Sequence, residues 1–94
     1  MVEAVKLALR ISTDAFDREI SDLIAAALAD LAAAGIRVPE SADALDPLTS
    51  RAVITYCRVH FGSPYEYEWT RLKSSYDEQK AQLSMASGHT DQEA

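Results

Sequence analysis

The stretch "DPLTSRAVITYCRVHFG", residues 46–62, decides how the rest of the chain is read. It opens on Asp46, whose carboxylate suits the free backbone amides at the start of a helix. Pro47 follows, with a fixed φ that fits the first helical position. It closes on Gly62, which tolerates the left-handed conformation that ends helices. Between these marks the residues are apolar nearly all round. Leu48, Ala52, Thr55, Tyr56 and Val59 form one face, and Val53, Ile54, Cys57 and Phe61 widen it. A helix without a polar face needs cover on every side, so this one is expected at the centre of a bundle.

Toward the amino terminus lies "IRVPESADALD", a connection of about eleven residues, longer than the usual 2–8 in helical bundles. Before it, "AFDREISDLIAAALADLAAAG" carries Phe16, Ile20, Leu23, Ile24, Ala27 and Leu31 at three- and four-residue intervals, the stripe of a second helix. Its start has two candidate caps, Ser12 and Asp14. With Ser12 as cap, Ile11 and Phe16 make a hydrophobic staple, and Asp14 and Asp17 fall in the favourable first turn. Its end is Gly35, after which Ile36 is expected to fold back on Leu31 in a Schellman motif. Ala25, Ala26, Ala29, Ala32 and Ala33 lie off the stripe. Two readings of them stand side by side: plain helix propensity, and a surface that another backbone approaches closely. Further upstream, "VEAVKLAL" puts Val2, Val5 and Leu9 on one side of a short first helix.

Toward the carboxyl terminus, Ser63, Pro64 and Glu66 spell a capping box that restarts the chain at once. The fourth helix carries Tyr65, Trp69, Leu72, Tyr76, Gln79 and Leu83 at alternating spacings of four and three, a narrow seam. After Met85 the residues "ASGHTDQEA" are small and polar and read as a disordered tail. The expected architecture is all-α: a bundle of about four helices, with a short first helix and two long helices flanking the central apolar one. It divides into a helical domain over 1–85 and a flexible tail over 86–94.

At 94 residues and 48% hydrophobic, the chain fits one small globular domain rather than a disordered segment. No apolar run approaches the ~20 residues that span a bilayer. "MVEAVKLALRI" has an early Glu and no small-residue cleavage site, so no signal peptide is expected. One cysteine makes no internal disulfide, which fits a reducing cytoplasm. The 15 acidic against 9 basic residues, net −6, disfavour a sequence-specific DNA-binding role.

Candidate chemistry centres on Cys57 and His60, which share a helix face. A zinc site needs three or four ligands, yet there is no second cysteine and the other histidine, His89, falls in the expected tail. A nucleophile–base pair needs a third group and partial exposure, whereas Cys57 sits on the most apolar helix. Both residues are read as structural, with His60 near the last carbonyls of its helix. The three glycines form no phosphate-binding loop. Glu66, Glu68, Asp77 and Glu78 are read as solvated charge. Tyr56, Tyr65, Tyr67, Trp69 and Tyr76 are read as core packing first, and as the rim of an assembly interface second. Neither an enzyme nor a cofactor is expected.

"VKLALRISTDAFDREISDLIAAALADLAAAGI", "DPLTSRAVITYCRVHFG" and "RLKSSYDEQKAQLSM" together resemble the head–tail connector (adaptor) family of long-tailed bacteriophages. The matching positions are Leu9, Arg10, Ile11, Phe16, Asp17, Glu19 and Ile20, then Asp46, Pro47, Leu48, Tyr56, Phe61 and Gly62. Leu72, Ser75, Tyr76 and Asp77 complete them. Each motif is also a helix-boundary signal; their order and spacing carry the resemblance, over roughly residues 2–85. Cys57 and His60 are not part of the pattern.

The resemblance implies a structural virion protein: a homo-oligomeric, dodecamer-like ring below the portal protein. Such a ring extends the DNA channel and receives a tail-side stopper or tail completion protein. Genomic DNA would pass without sequence-specific contact. Assembly would occur in host cytoplasm, with no membrane partner. Expected interface positions are Ala25, Ala29, Ala32, Ala33, Pro39, Ala44, Tyr67 and Met85. Two rivals remain. One is a small acidic helical regulatory or partner-binding module; the other is an enzyme or metal protein using Cys57 and His60.

Overall fold

The computed structural model describes residues 1–39, 44–62 and 66–85, with the side chains of 66 and 67 left outside that description. Four helices follow in order: α1 (Val2–Leu9), α2 (Asp17–Ala33), α3 (Pro47–His60) and α4 (Glu66–Met85). The protein is a small all-α bundle. Helix α3 packs against α1, α2 and α4 and is the central element. Its Ala52, Val53, Thr55, Cys57 and Val59 are all buried. Ala52, Val53 and Cys57 share one core cluster with Ile20, Ile24, Ala27 and Leu31 from α2, Val5 from α1, and Tyr76 and Leu83 from α4.

The expected caps of α3 and the end of α2 form. Asp46 accepts from the Thr49 backbone amide at 2.7 Å, with Pro47 in the first turn. At Gly35 the chain turns left-handed at φ 83°. Ile36 donates to the Leu31 carbonyl and Gly35 to that of Ala32, both at 3.0 Å. Those two bonds are the Schellman pair, and Ile36 and Leu31 are fully buried. The connections around Ser63–Pro64 and the expected tail over 86–94 lie outside the described residues.

The start of α2 differs from the expectation at Ser12 or Asp14. The helix begins at Asp17 with Phe16 in the cap position and no side-chain cap. Asp14 is taken by another partner: its carboxylate accepts from Lys6 Nζ at 2.8 Å. Phe16 is not stapled inside either. It is 42% exposed and stands edge-on to Phe61, ring centroids 5.5 Å apart. Two further apolar residues leave the expected faces. Leu48 is 50% exposed in the first turn of α3, and Trp69 is 41% exposed in α4. At about 100° per residue, Trp69 stands roughly 50° to the side of the line through Leu72, Tyr76, Gln79 and Leu83, so Leu72, Tyr76 and Leu83 are buried and Trp69 is not.

Candidate functional site

The pair that first suggests chemistry is split by its own helix. Cys57 is fully buried, and burial pushes its thiol up from 9.0 to about 12. A thiol so displaced is protonated at neutral pH and is a poor nucleophile. His60 is exposed, its ring 4.3 Å from that of Tyr56. One residue faces the core and the other faces solvent. Among the described residues no three His, Cys, Asp or Glu side chains are grouped to hold a metal ion.

Two polar clusters tie the bundle together. The first surrounds Lys6, whose side chain is 6% exposed although Glu3 and Asp14 beside it face solvent. Its ammonium meets Asp14 at 2.8 Å, Asp17 at 3.0 Å and Glu3 at 3.9 Å. Asp17 Oδ1 is enclosed and lacks a hydrogen bond of ordinary geometry, so this ion pair is what satisfies it. The hydrogen bond from Lys6 holds Asp14 below the usual carboxylate range, and Asp14 and Asp17 in turn keep Lys6 charged. The second cluster joins α4 to α2. Tyr76 donates its hydroxyl to Asp30 Oδ2 at 2.5 Å, and Lys80 reaches the same oxygen at 3.2 Å. The Tyr76 hydroxyl, and after it Lys80, hold Asp30 below the ordinary 3.8. Tyr76 also stacks edge-on with Tyr56, centroids 5.4 Å apart. Neither cluster lines either of the two recesses described below; both are read as architecture.

Asp77 and Glu78 of α4 are solvent-facing, as the sequence reading has them. Asp77 is held by Lys73 at 2.8 Å on the outside of the helix. The off-stripe alanines behave differently from the stripe. Ala27 is fully buried, whereas Ala25, Ala26, Ala29, Ala32 and Ala33 are all exposed. Of the other positions expected at an interface, Pro39 is half-buried and Ala44 exposed. Met85 is 87% exposed at the end of α4. The Tyr67 side chain lies outside the described residues, as does Tyr65.

Among the described residues, two open recesses stand out on the surface. One, about 270 Å³, runs between the start of α3 and the end of α4 and includes Leu48, Arg51, Gln79 and Leu83. The other, about 420 Å³, lies where α1 and α3 end and α4 begins, and its lining includes Arg10, Arg58 and Phe61. Neither is legible in periodicity or motif, because each is assembled from the ends of separate helices.

No helix among the described residues is long and apolar enough to cross a membrane. Against known proteins, the family model described as phage connector protein matches residues 1–90. No curated protein and no solved structure matches the chain.

Proposed function

The chain belongs to the phage connector protein family, a family of structural virion proteins that act in contact with other virion proteins, and from that premise we propose that it is a ring subunit at the head–tail junction. The ring sits below the portal protein, extends the DNA channel and receives a stopper or tail completion protein on its far side. Copies contact one another head-to-tail, an arrangement that closes by rotation. The helical domain over 1–85 forms the ring wall and the polar segment over 86–94 is left to dock on a partner. Assembly takes place in the host cytoplasm, and the protein carries no catalytic residue.

The observation that supports the ring is the outer surface of α2. Five alanines lie exposed there, while the stripe on the opposite side is buried. Small side chains let a second helix approach closely, and their low side-chain entropy makes ordering them inexpensive. Ala25, Ala29, Ala32 and Ala33 form this contact, with Pro39, Ala44, Tyr67 and Met85 as further interface positions. A net charge of −6 suits a channel through which DNA slides without sticking.

Ala29→Glu and Ala33→Glu test the reading. Both sites are exposed, so the folded subunit should change stability by no more than about 0.5 kcal/mol. Circular dichroism should be unaltered while ring formation, seen by native mass and electron microscopy, is lost. Variants that assemble as the parent does would remove this face from the interface. A parent protein that instead forms a one-to-one complex with a basic protein would replace the ring with a regulatory role.

A further inference from the structure

The recess at the meeting of α1, α3 and α4 combines an apolar floor with charges that have nothing to do inside the subunit. Leu9, Phe61 and Leu72 supply the floor, and Arg10, Arg58 and Glu68 stand around it. Lysines 6, 73 and 80 each hold a carboxylate. Arg10 and Arg58 have no ion-pair partner among the described residues, and Glu68 pairs with neither. Arg10 is also the sole non-glycine residue at positive φ, 59°, among those described. Glycine adopts that conformation freely, so the backbone there accepts a disfavoured geometry with a guanidinium attached.

The exposed face of α2 carries the opposite pattern. Arg18, Glu19 and Asp22 are exposed, have no partner among the described residues, and precede the alanines on the same side of the helix. Asp22, Ala26, Ala29 and Ala33 follow at intervals of four, three and four, one continuous strip. The recess thus offers two positive charges and one negative; the strip offers two negative and one positive. Guanidinium groups over an apolar floor are well suited to pair with carboxylates in a planar, two-pronged geometry.

We propose that the recess of one copy receives the amino-terminal part of the α2 face of a second copy. Arg10 and Arg58 meet Glu19 and Asp22, and Glu68 meets Arg18. The two surfaces are different, so the contact is head-to-tail, and the inference rests on the ring reading above. It adds the partner of the alanine face and the charges that set its register.

Charge exchange tests it, with the full chain and its native mass followed across a range of protein concentration. Arg10→Glu, Arg58→Glu and Asp22→Arg should each raise the concentration needed for assembly by about tenfold or more, with unaltered circular dichroism. Combining Arg58→Glu with Asp22→Arg in one chain should restore assembly. Association of the parent should also weaken as salt rises from about 0.05 to 0.5 M. A parent that stays monomeric at every concentration overturns the ring reading and this contact with it. A parent that forms rings while the single variants assemble equally well, or while the paired variant fails to recover, overturns this contact alone. Arg10 is exposed at a helix end, so its variant remains informative even if Arg58→Glu is poorly folded.

Discussion

Lys6 is a charged residue in an apolar place, and its neighbours explain why. Its stem helps cover the core between α1 and α2 while its ammonium reaches Asp14 and Asp17 beyond. Lys6→Ala should therefore lower the melting temperature more than Lys73→Ala, whose partner Asp77 lies on the open surface of α4. Thermal denaturation of the two variants side by side decides this. The contrast between Leu31 and Leu7 should be larger still. Leu31 is fully buried, so Leu31→Ala should cost about 2–5 kcal/mol, much of the total stability of so small a domain. Leu7 is 81% exposed, and its replacement should be close to neutral in urea titration. Cys57 offers a chemical test of the core. It should react slowly with a thiol reagent at pH 8 and quickly once urea has unfolded the protein; fast labelling of the native protein would contradict its burial. Its raised pKa has a sign as well: the neutral thiol's contribution is complete below pH 9.0 and is lost as pH rises toward about 12.

Among the elements, those whose signals are local were legible in the sequence and those that depend on distant partners were not. Asp46–Pro47 and Gly35–Ile36 mark helix ends through residues within one turn of each other, and both formed as read. Ser12 is the cap the sequence favours, with Asp14 competing, but a lysine from α1 claims Asp14, and α2 starts later at Asp17. The Asp30–Tyr76 bond joins residues 46 positions apart and leaves no trace in periodicity. That bond makes α4's attachment sensitive to acid. Asp30 has a depressed pKa, so its stabilising share is complete above the ordinary 3.8 and is lost as pH falls through the lower folded value. Stability should decline below about pH 4, and Asp30→Asn should be less stable at neutral pH yet show a shallower acid decline. Tyr76→Phe keeps the ring against Tyr56 and removes the hydroxyl, at a cost of about 1 kcal/mol in urea unfolding at neutral pH.

At the scale of the whole molecule, a central helix wrapped by three others leaves the outer faces of α2 and α4 for other work. The bundle itself follows from the all-round apolar character of residues 47–61, and the alanine face was visible as an excess of small residues. The recess with Arg10 and Arg58 was not, because a guanidinium looks alike in sequence whether it is paired or free. Trp69, the chain's single tryptophan, also departs from its expected place and stands 41% exposed on α4, one residue from Glu68 at that recess. The subunit thereby carries its own optical gauge. Indole emission from a lone subunit should be red-shifted and readily quenched by acrylamide; covering the beginning of α4 with a neighbour should move it to the blue and shield it, reporting assembly in real time without any attached dye.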